Sequence, residues 1–156
     1  MKFAGREDIE APIAAVFAAL SDFDGWERAA LRRGAEVQRT DALTRPGRGM
    51  AWNVGFVFRG KPRRASLRLQ ELDPPGRLVV SGNGANLDGR MICDLIEMSP
   101  RRTRIEVQLE VKPLTIGARL FVQSIRLARA RTERRFRARL AQLAADIEHR
   151  QPRGRP

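Results

Sequence analysis

A chain of 156 residues with 42% apolar and 31% charged residues is one domain, large enough for a core with an internal cavity and too short for two catalytic lobes. Its single cysteine, Cys93, excludes an intrachain disulfide and a multi-thiolate metal site, in keeping with a reducing, cytoplasmic location. The net charge of +12 invites a nucleic-acid reading, but 27 of the 30 basic residues are Arg, a skew first attributed to GC-rich coding, so neither a specific nucleic acid nor an acidic membrane is the expected partner.

The opening residues, Met1 to Asp8, carry acids and no apolar run, so neither a signal peptide nor a membrane span is expected. Residues 2–10 alternate weakly, with Phe3, Gly5, Glu7 and Ile9 on one face, and predict a strand. Pro12 suits the first turn of a helix carrying Val16, Phe17 and Leu20. A second short helix runs from Asp24 as N-cap, through Trp26, Ala30 and Leu31, to Gly34 as C-cap.

Strands and turns fill residues 35–112. After a short strand at 35–41 and a loop at 44–49, residues 50–59 place Met50, Trp52, Val54, Phe56 and Phe58 on one side, the side expected to face inward. A turn at Gly60-Lys61-Pro62 leads to a strand that buries Ala65, Leu67 and Leu69, and Asp73-Pro74-Pro75-Gly76 is a turn. Segments 78–87 and 90–98 form the next pair, with Asp88-Gly89 predicting a tight type I′ hairpin. The glycines and asparagines between Ser81 and Asn86 match no phosphate-loop pattern and read as bends in a curved strand. The strand at 104–112 alternates most cleanly, with Ile105, Val107, Leu109 and Val111 on one face, and Pro113 ends it.

Residues 115–149 read as one long helix. Its apolar stripe of Ala118, Val122, Ile125, Phe136, Leu140, Leu143 and Ile147 keeps three-and-four spacing when Arg129 and Thr132 are counted in, which places those two toward the sheet. At 1.5 Å per residue the helix would span roughly 50 Å, longer than such a domain is wide. A bend or break near Gly117, or projection past the sheet, is therefore expected. From residue 116 onward there are eleven Arg against Glu133, Asp146 and Glu148; Arg126, Arg131, Arg134, Arg135, Arg137 and Arg139 spread over the arc that the stripe leaves free, a solvated face. Residues 151–156 predict a disordered tail, leaving a single domain over 1–150.

The element order, together with Ile9-Glu10-Ala11-Pro12, the stretch Ser21-Asp22-Phe23-Asp24-Gly25-Trp26, Leu87-Asp88-Gly89-Arg90 and the Arg-Phe-Arg-Ala-Arg-Leu run at 135–140, resembles the START-like, or SRPBCC, superfamily of helix-grip proteins. The nearest resemblance is to its bacterial polyketide cyclase/dehydrase-type and carbon-monoxide-dehydrogenase-subunit-G-like members. It implies an α+β fold in which a curved antiparallel sheet of about seven strands wraps around the C-terminal helix, with two short helices after strand one. It also implies an apolar cavity between sheet and helix that holds a lipid, polyketide or other hydrophobic molecule.

With that cavity implied, strand and helix parity nominate its walls: Trp52, Val54, Phe56, Phe58, Leu67, Leu69, Val107 and Leu109 from the sheet, and Val122, Ile125, Arg129, Thr132 and Phe136 from the helix. Catalytic and metal-ligating patterns are wanting, so no catalytic residue, metal or cofactor is assigned. The only histidine, His149, lies opposite the stripe; Cys93 has no histidine near it in sequence and reads as a small buried hydrophobe; there is no tyrosine. Glu7 and Asp94 either face inward or lie near the rim or on the outer face of the sheet. The reading that follows is a binding module for a small hydrophobic or amphipathic ligand, an acidic one if Arg129 clamps it. Two others stand beside it: a cyclase or dehydrase using an inward carboxylate with Arg129, and an interaction protein using the Arg-rich helix face.

Overall fold

The computed structural model describes residues 1–150, so the tail predicted at 151–156 lies outside the described residues. The elements are β1 (Lys2–Ile9), α1 (Ile13–Leu20), α2 (Phe23–Arg32), β2 (Glu36–Arg39), β3 (Ala51–Phe58), β4 (Lys61–Asp73), β5 (Arg77–Gly84), β6 (Leu87–Ser99), β7 (Arg102–Pro113), α3 (Ile116–Leu127) and α4 (Arg129–His149). One antiparallel sheet of seven strands runs in the order β1-β7-β6-β5-β4-β3-β2. Consecutive hairpins account for β2 to β7, and α1 and α2 carry the chain from β1 at one edge to β2 at the other. The result is an α+β helix-grip fold.

Side-chain alternation builds the concave face. Phe3, Gly5, Glu7 and Ile9 of β1 pair with Leu109, Val107, Ile105 and Thr103 of β7, and Ile9, Thr103 and Ile105 are fully buried. Thr103 meets its hydroxyl requirement there by donating to the Ala11 carbonyl at 2.8 Å. A bulge between Leu69 and Glu71 inserts one residue into β4. Without it Leu72 would face the same side as Gln70; with it Leu69 and Leu72 both reach the core.

Gly5 sets how close α4 comes to β1. A Cβ built there would sit 3.0 Å from Phe136 Cε1 and 3.1 Å from Leu140 Cδ2, so a bare backbone allows the helix to lie directly on the edge strand.

Several predicted boundaries move. The N-cap of α2 is Asp22, which accepts from the Gly25 amide at 3.1 Å, and not Asp24. Asp24 then lies in the acidic first turn, where the helix dipole favours it. The β3–β4 hairpin turns at Arg59-Gly60, with φ of 52° and 73°, so Lys61 and Pro62 already pair in β4. Asp88 and Gly89 do not form a turn: they pair with Asn83 and Gly82 inside the β5–β6 ladder, and the chain reverses at Ala85 and Asn86. Long alternating flanks hold the ladder past the Asp-Gly pair, and register overrides local turn preference.

The C-terminal segment is broken at Ala128, eleven residues past Gly117, into α3 and the longer α4. Between Ile125 and Phe136 the stripe holds only Arg129 and Thr132. No apolar side chain there holds the helix along the sheet, and the helix breaks where that pull is missing.

Candidate functional site

Two helices stand over the concave face, and each presents four residues at the spacing of a single helix face. From α2 these are Phe23, Trp26, Glu27 and Ala30; from α4 they are Phe136, Arg139, Leu140 and Leu143. Between the two helices and the sheet lies a cavity of about 540 Å³, with Leu20 of α1 completing the helical wall. Its floor comes from alternate strand residues: Val37, Trp52 and Val54, then Leu67, Leu78 and Val80, then Met91, Cys93 and Val107. Each strand contributes its core-facing parity, which is why the floor is apolar throughout.

Glu27 and Arg139 are the only ionisable groups in the lining besides the Cys93 thiol. Glu27 Oε1 accepts the indole N–H of Trp52 at 2.7 Å. Behind Trp52, the Arg39 guanidinium stands 5.7 Å from the ring centroid and donates to both carboxylate oxygens of Asp41, at 2.8 and 2.6 Å. Asp41 also accepts the amides of Ala51 and Leu43. The Arg39 hydrogen bond first, and then the Ala51 amide, hold the Asp41 carboxyl well below the usual carboxylate range. This chain fixes the Trp52 ring and leaves Glu27 Oε2 outside that bond. Arg139 has no carboxylate within ion-pair distance among the described residues.

Burial, and secondarily the Asp94 charge, push the Cys93 thiol up to about 11, which makes it a poor nucleophile at neutral pH. Among the described residues no group of three or more His, Cys, Asp or Glu is arranged to hold a metal ion, and no helix is long and apolar enough to cross a membrane.

Of the residues nominated from sequence, Trp52, Val54, Leu67, Val107 and Phe136 line the cavity. Leu69 is in the core beneath it, and Leu109 is half-buried opposite Phe3. Val122 is buried and Ile125 half-buried on α3, which lies outside the lining. Phe56 and Phe58 continue the inward face of β3 beyond the cavity, where they are 39% and 45% exposed.

Arg129 is not inward. Its side chain is 63% exposed and its Nε donates to Glu133 at 2.8 Å, one helical turn on. Thr132 donates to the Ala128 carbonyl. The helix break lets both satisfy themselves locally, which removes the clamp and its need for a partner in the core. Asp94 lies on the convex face, paired with Arg77 at 3.2 Å, because its neighbour Cys93 takes the concave parity. Glu7 shares the concave parity but is absent from the lining.

Sequence reasoning missed the whole α2 wall and Arg139. The spacing of Phe23, Trp26, Glu27 and Ala30 was a readable signal. Arg139 was hidden, because an arginine between Phe136 and Leu140 looks like any other member of a solvated face.

A sheet gripping a C-terminal helix over an apolar cavity defines a helix-grip protein of the ligand-cavity type. The chain belongs to the family described as polyketide cyclase / dehydrase and lipid transport, which matches residues 1–148, and with it to the START-like superfamily. Comparison with curated protein sequences finds no match. Solved structures share the fold at low identity. The Zhui aromatase/cyclase of Streptomyces sp. R1128 is 13% identical, with 96% of this chain and 94% of that one covered and a TM-score of 0.69. Norcoclaurine synthase of Thalictrum flavum, solved with dopamine and hydroxybenzaldehyde, is 11% identical over 98% of this chain and 89% of that one, with a TM-score of 0.67. A START superfamily protein of Mycobacterium smegmatis is 12% identical over 86% and 95%, with a TM-score of 0.56.

Proposed function

We propose that the protein binds a small amphipathic molecule, lipid-like or polyketide-like, with its apolar body over Val54, Leu67, Val80 and Val107 and an acidic end at Arg139. The observation that carries this reading is the cavity itself. Its volume of about 540 Å³ falls within the range of about 300–1,000 Å³ for small-molecule sites, and over its apolar floor the helical wall carries two opposite charges, one on each helix. Arg139, with no carboxylate in ion-pair distance among the described residues, is placed to pair with a ligand carboxylate, and Glu27 to accept from a hydroxyl or amine.

A cyclising or dehydrating enzyme would have to use Glu27, since Arg129 and Asp94 point elsewhere. Glu27 already binds Trp52, and no second ionisable oxygen stands beside it in the lining, which favours binding over turnover. The lone reduced thiol supports a cytoplasmic setting.

Titration with an anionic hydrophobic fluorophore such as anilinonaphthalene sulfonate, with dodecanoate as competitor, tests the reading. Dodecanoate should displace the dye from the parent, and Val80→Phe, which fills the floor, should abolish binding while the protein stays folded. Undiminished binding in a folded Val80→Phe variant would show that the ligand sits elsewhere.

A further inference from the structure

Helix α3 has two apolar faces where a surface helix needs one. Ala118 and Val122 are buried and Phe121 and Ile125 half-buried, whereas Ile116, Leu120 and Leu127 are 79%, 63% and 92% exposed. At about 100° per residue the three exposed side chains fall within about 40° of one another, on the side away from the buried face. Between them and Phe121 the helix carries only Gly117, Ser124 and, at the break, Ala128.

Phe121 carries this surface onto the sheet. Its ring meets Phe58 edge-on with centroids 6.1 Å apart, at the β3–β4 tip where Val57 is 73% exposed. Arg59 and Gly60 turn the tip with positive φ at both positions, a conformation that suits Gly and costs an arginine. The Arg59 guanidinium lies 4.6 Å from the Phe121 centroid and 5.6 Å from that of Phe58. An unfavourable backbone thus holds a cation over two aromatic rings at an exposed tip.

The two segments that supply this surface carry charge of one sign. Residues 51–70 and 113–132 contain no Asp or Glu and nine basic residues. Of these, Arg64 and Arg129 pair with Glu36 and Glu133 from outside the two segments, while Arg119 and Arg126 lie together along one side of the exposed apolar face. Nucleic acid would satisfy the arginines and leave Ile116, Leu120 and Leu127 without a partner. An anionic bilayer surface takes both, apolar side chains at the acyl boundary and cations among the headgroups.

We propose that α3 and the β3–β4 tip form a docking surface for membranes containing anionic phospholipid, with Leu120, Leu127 and Phe58 entering the interface and Arg59, Arg119 and Arg126 at the headgroups. The surface is continuous with the cavity along one face of β3: Trp52 and Val54 line the cavity, Phe56 follows, and Phe58 stands at the tip. Docking holds whatever the cavity binds.

Flotation with vesicles tests this. The parent should float with phosphatidylcholine vesicles containing about 30% phosphatidylglycerol and much less with phosphatidylcholine alone, and salt should weaken it. L120D/L127D changes only exposed positions, so it should keep its circular dichroism and dye binding yet partition about tenfold or more weaker. R119Q/R126Q should lose a comparable factor. Three results would overturn the proposal: no flotation of the parent; flotation that L120D/L127D leaves intact, which would mean attraction by charge alone; or a parent dimer that L120D/L127D dissolves with no vesicle binding, which would make the surface an interface between copies.

Discussion

The indole N–H of Trp52 on β3 donates to Glu27 on α2 at 2.7 Å, and this bond ties the α2 wall of the cavity to the sheet. Trp52 is only 7% exposed and packs against Phe23 of the same helix, with centroids 5.6 Å apart. Glu27→Ala leaves that part-buried N–H without its partner and should cost about 1–3 kcal/mol in urea unfolding. Glu27→Gln keeps an acceptor and should cost less. Equal stability of Glu27→Ala and the parent would show that the tie contributes nothing.

Gly5→Val sets two effects against each other. A strand gains up to about 1 kcal/mol from a β-branched residue, but the new side chain enters space already occupied by Phe136 and Leu140. Overpacking of that kind costs about 1–3 kcal/mol and should win. The variant should melt lower and bind dye more weakly, because α4 is displaced; a higher melting temperature would contradict the close approach.

Cys93 gives a pH signature. Its folded pKa of about 11 lies above the ordinary 9.0, so the unfolded chain loses the proton first and stability falls as pH rises from about 9 to about 11. No tyrosine titrates in that window. The parent should lose about 2–3 kcal/mol across it relative to Cys93→Ala. Parallel stability curves for the two proteins would refute the burial argument.

The two arginines of α4 should separate cleanly. Arg129→Leu should leave affinity for an acidic hydrophobe unchanged, since the side chain is committed to Glu133 outside the cavity. Arg139→Ala should weaken the same ligand about tenfold while barely affecting a neutral one. Calorimetric titration of both variants with dodecanoate and dodecanol tests this, and a loss in Arg129→Leu alone would reverse the assignment.

Strand parity placed Trp52, Val54, Leu67 and Val107 on the inner face, and helix periodicity placed Phe136, Leu140 and Ile147 against the sheet. Both follow from a repeat measured along the chain, so they are legible wherever alternation is clean. The same reasoning put Arg129 inward, because a period assumes an unbroken axis, and the axis breaks at Ala128. Asp88-Gly89 failed for a related reason: a dipeptide's turn preference is smaller than the register held by the strands on either side of it.

The seven-strand fold, its inner face and its apolar core are thus written in local periodicities and caps. The partners of Glu27 and Phe121, and the place of Arg139 in the cavity wall, are not. They depend on where α2, α4 and the β3–β4 tip come to rest, and separations of 25 residues between Glu27 and Trp52, or of the wider stretch between Phe58 and Phe121, leave no trace in any pattern of neighbours. The charge of +12 is the sharpest case: composition does not say where it lies, and only the fold brings Arg59 of one acid-free segment against Phe121 of the other.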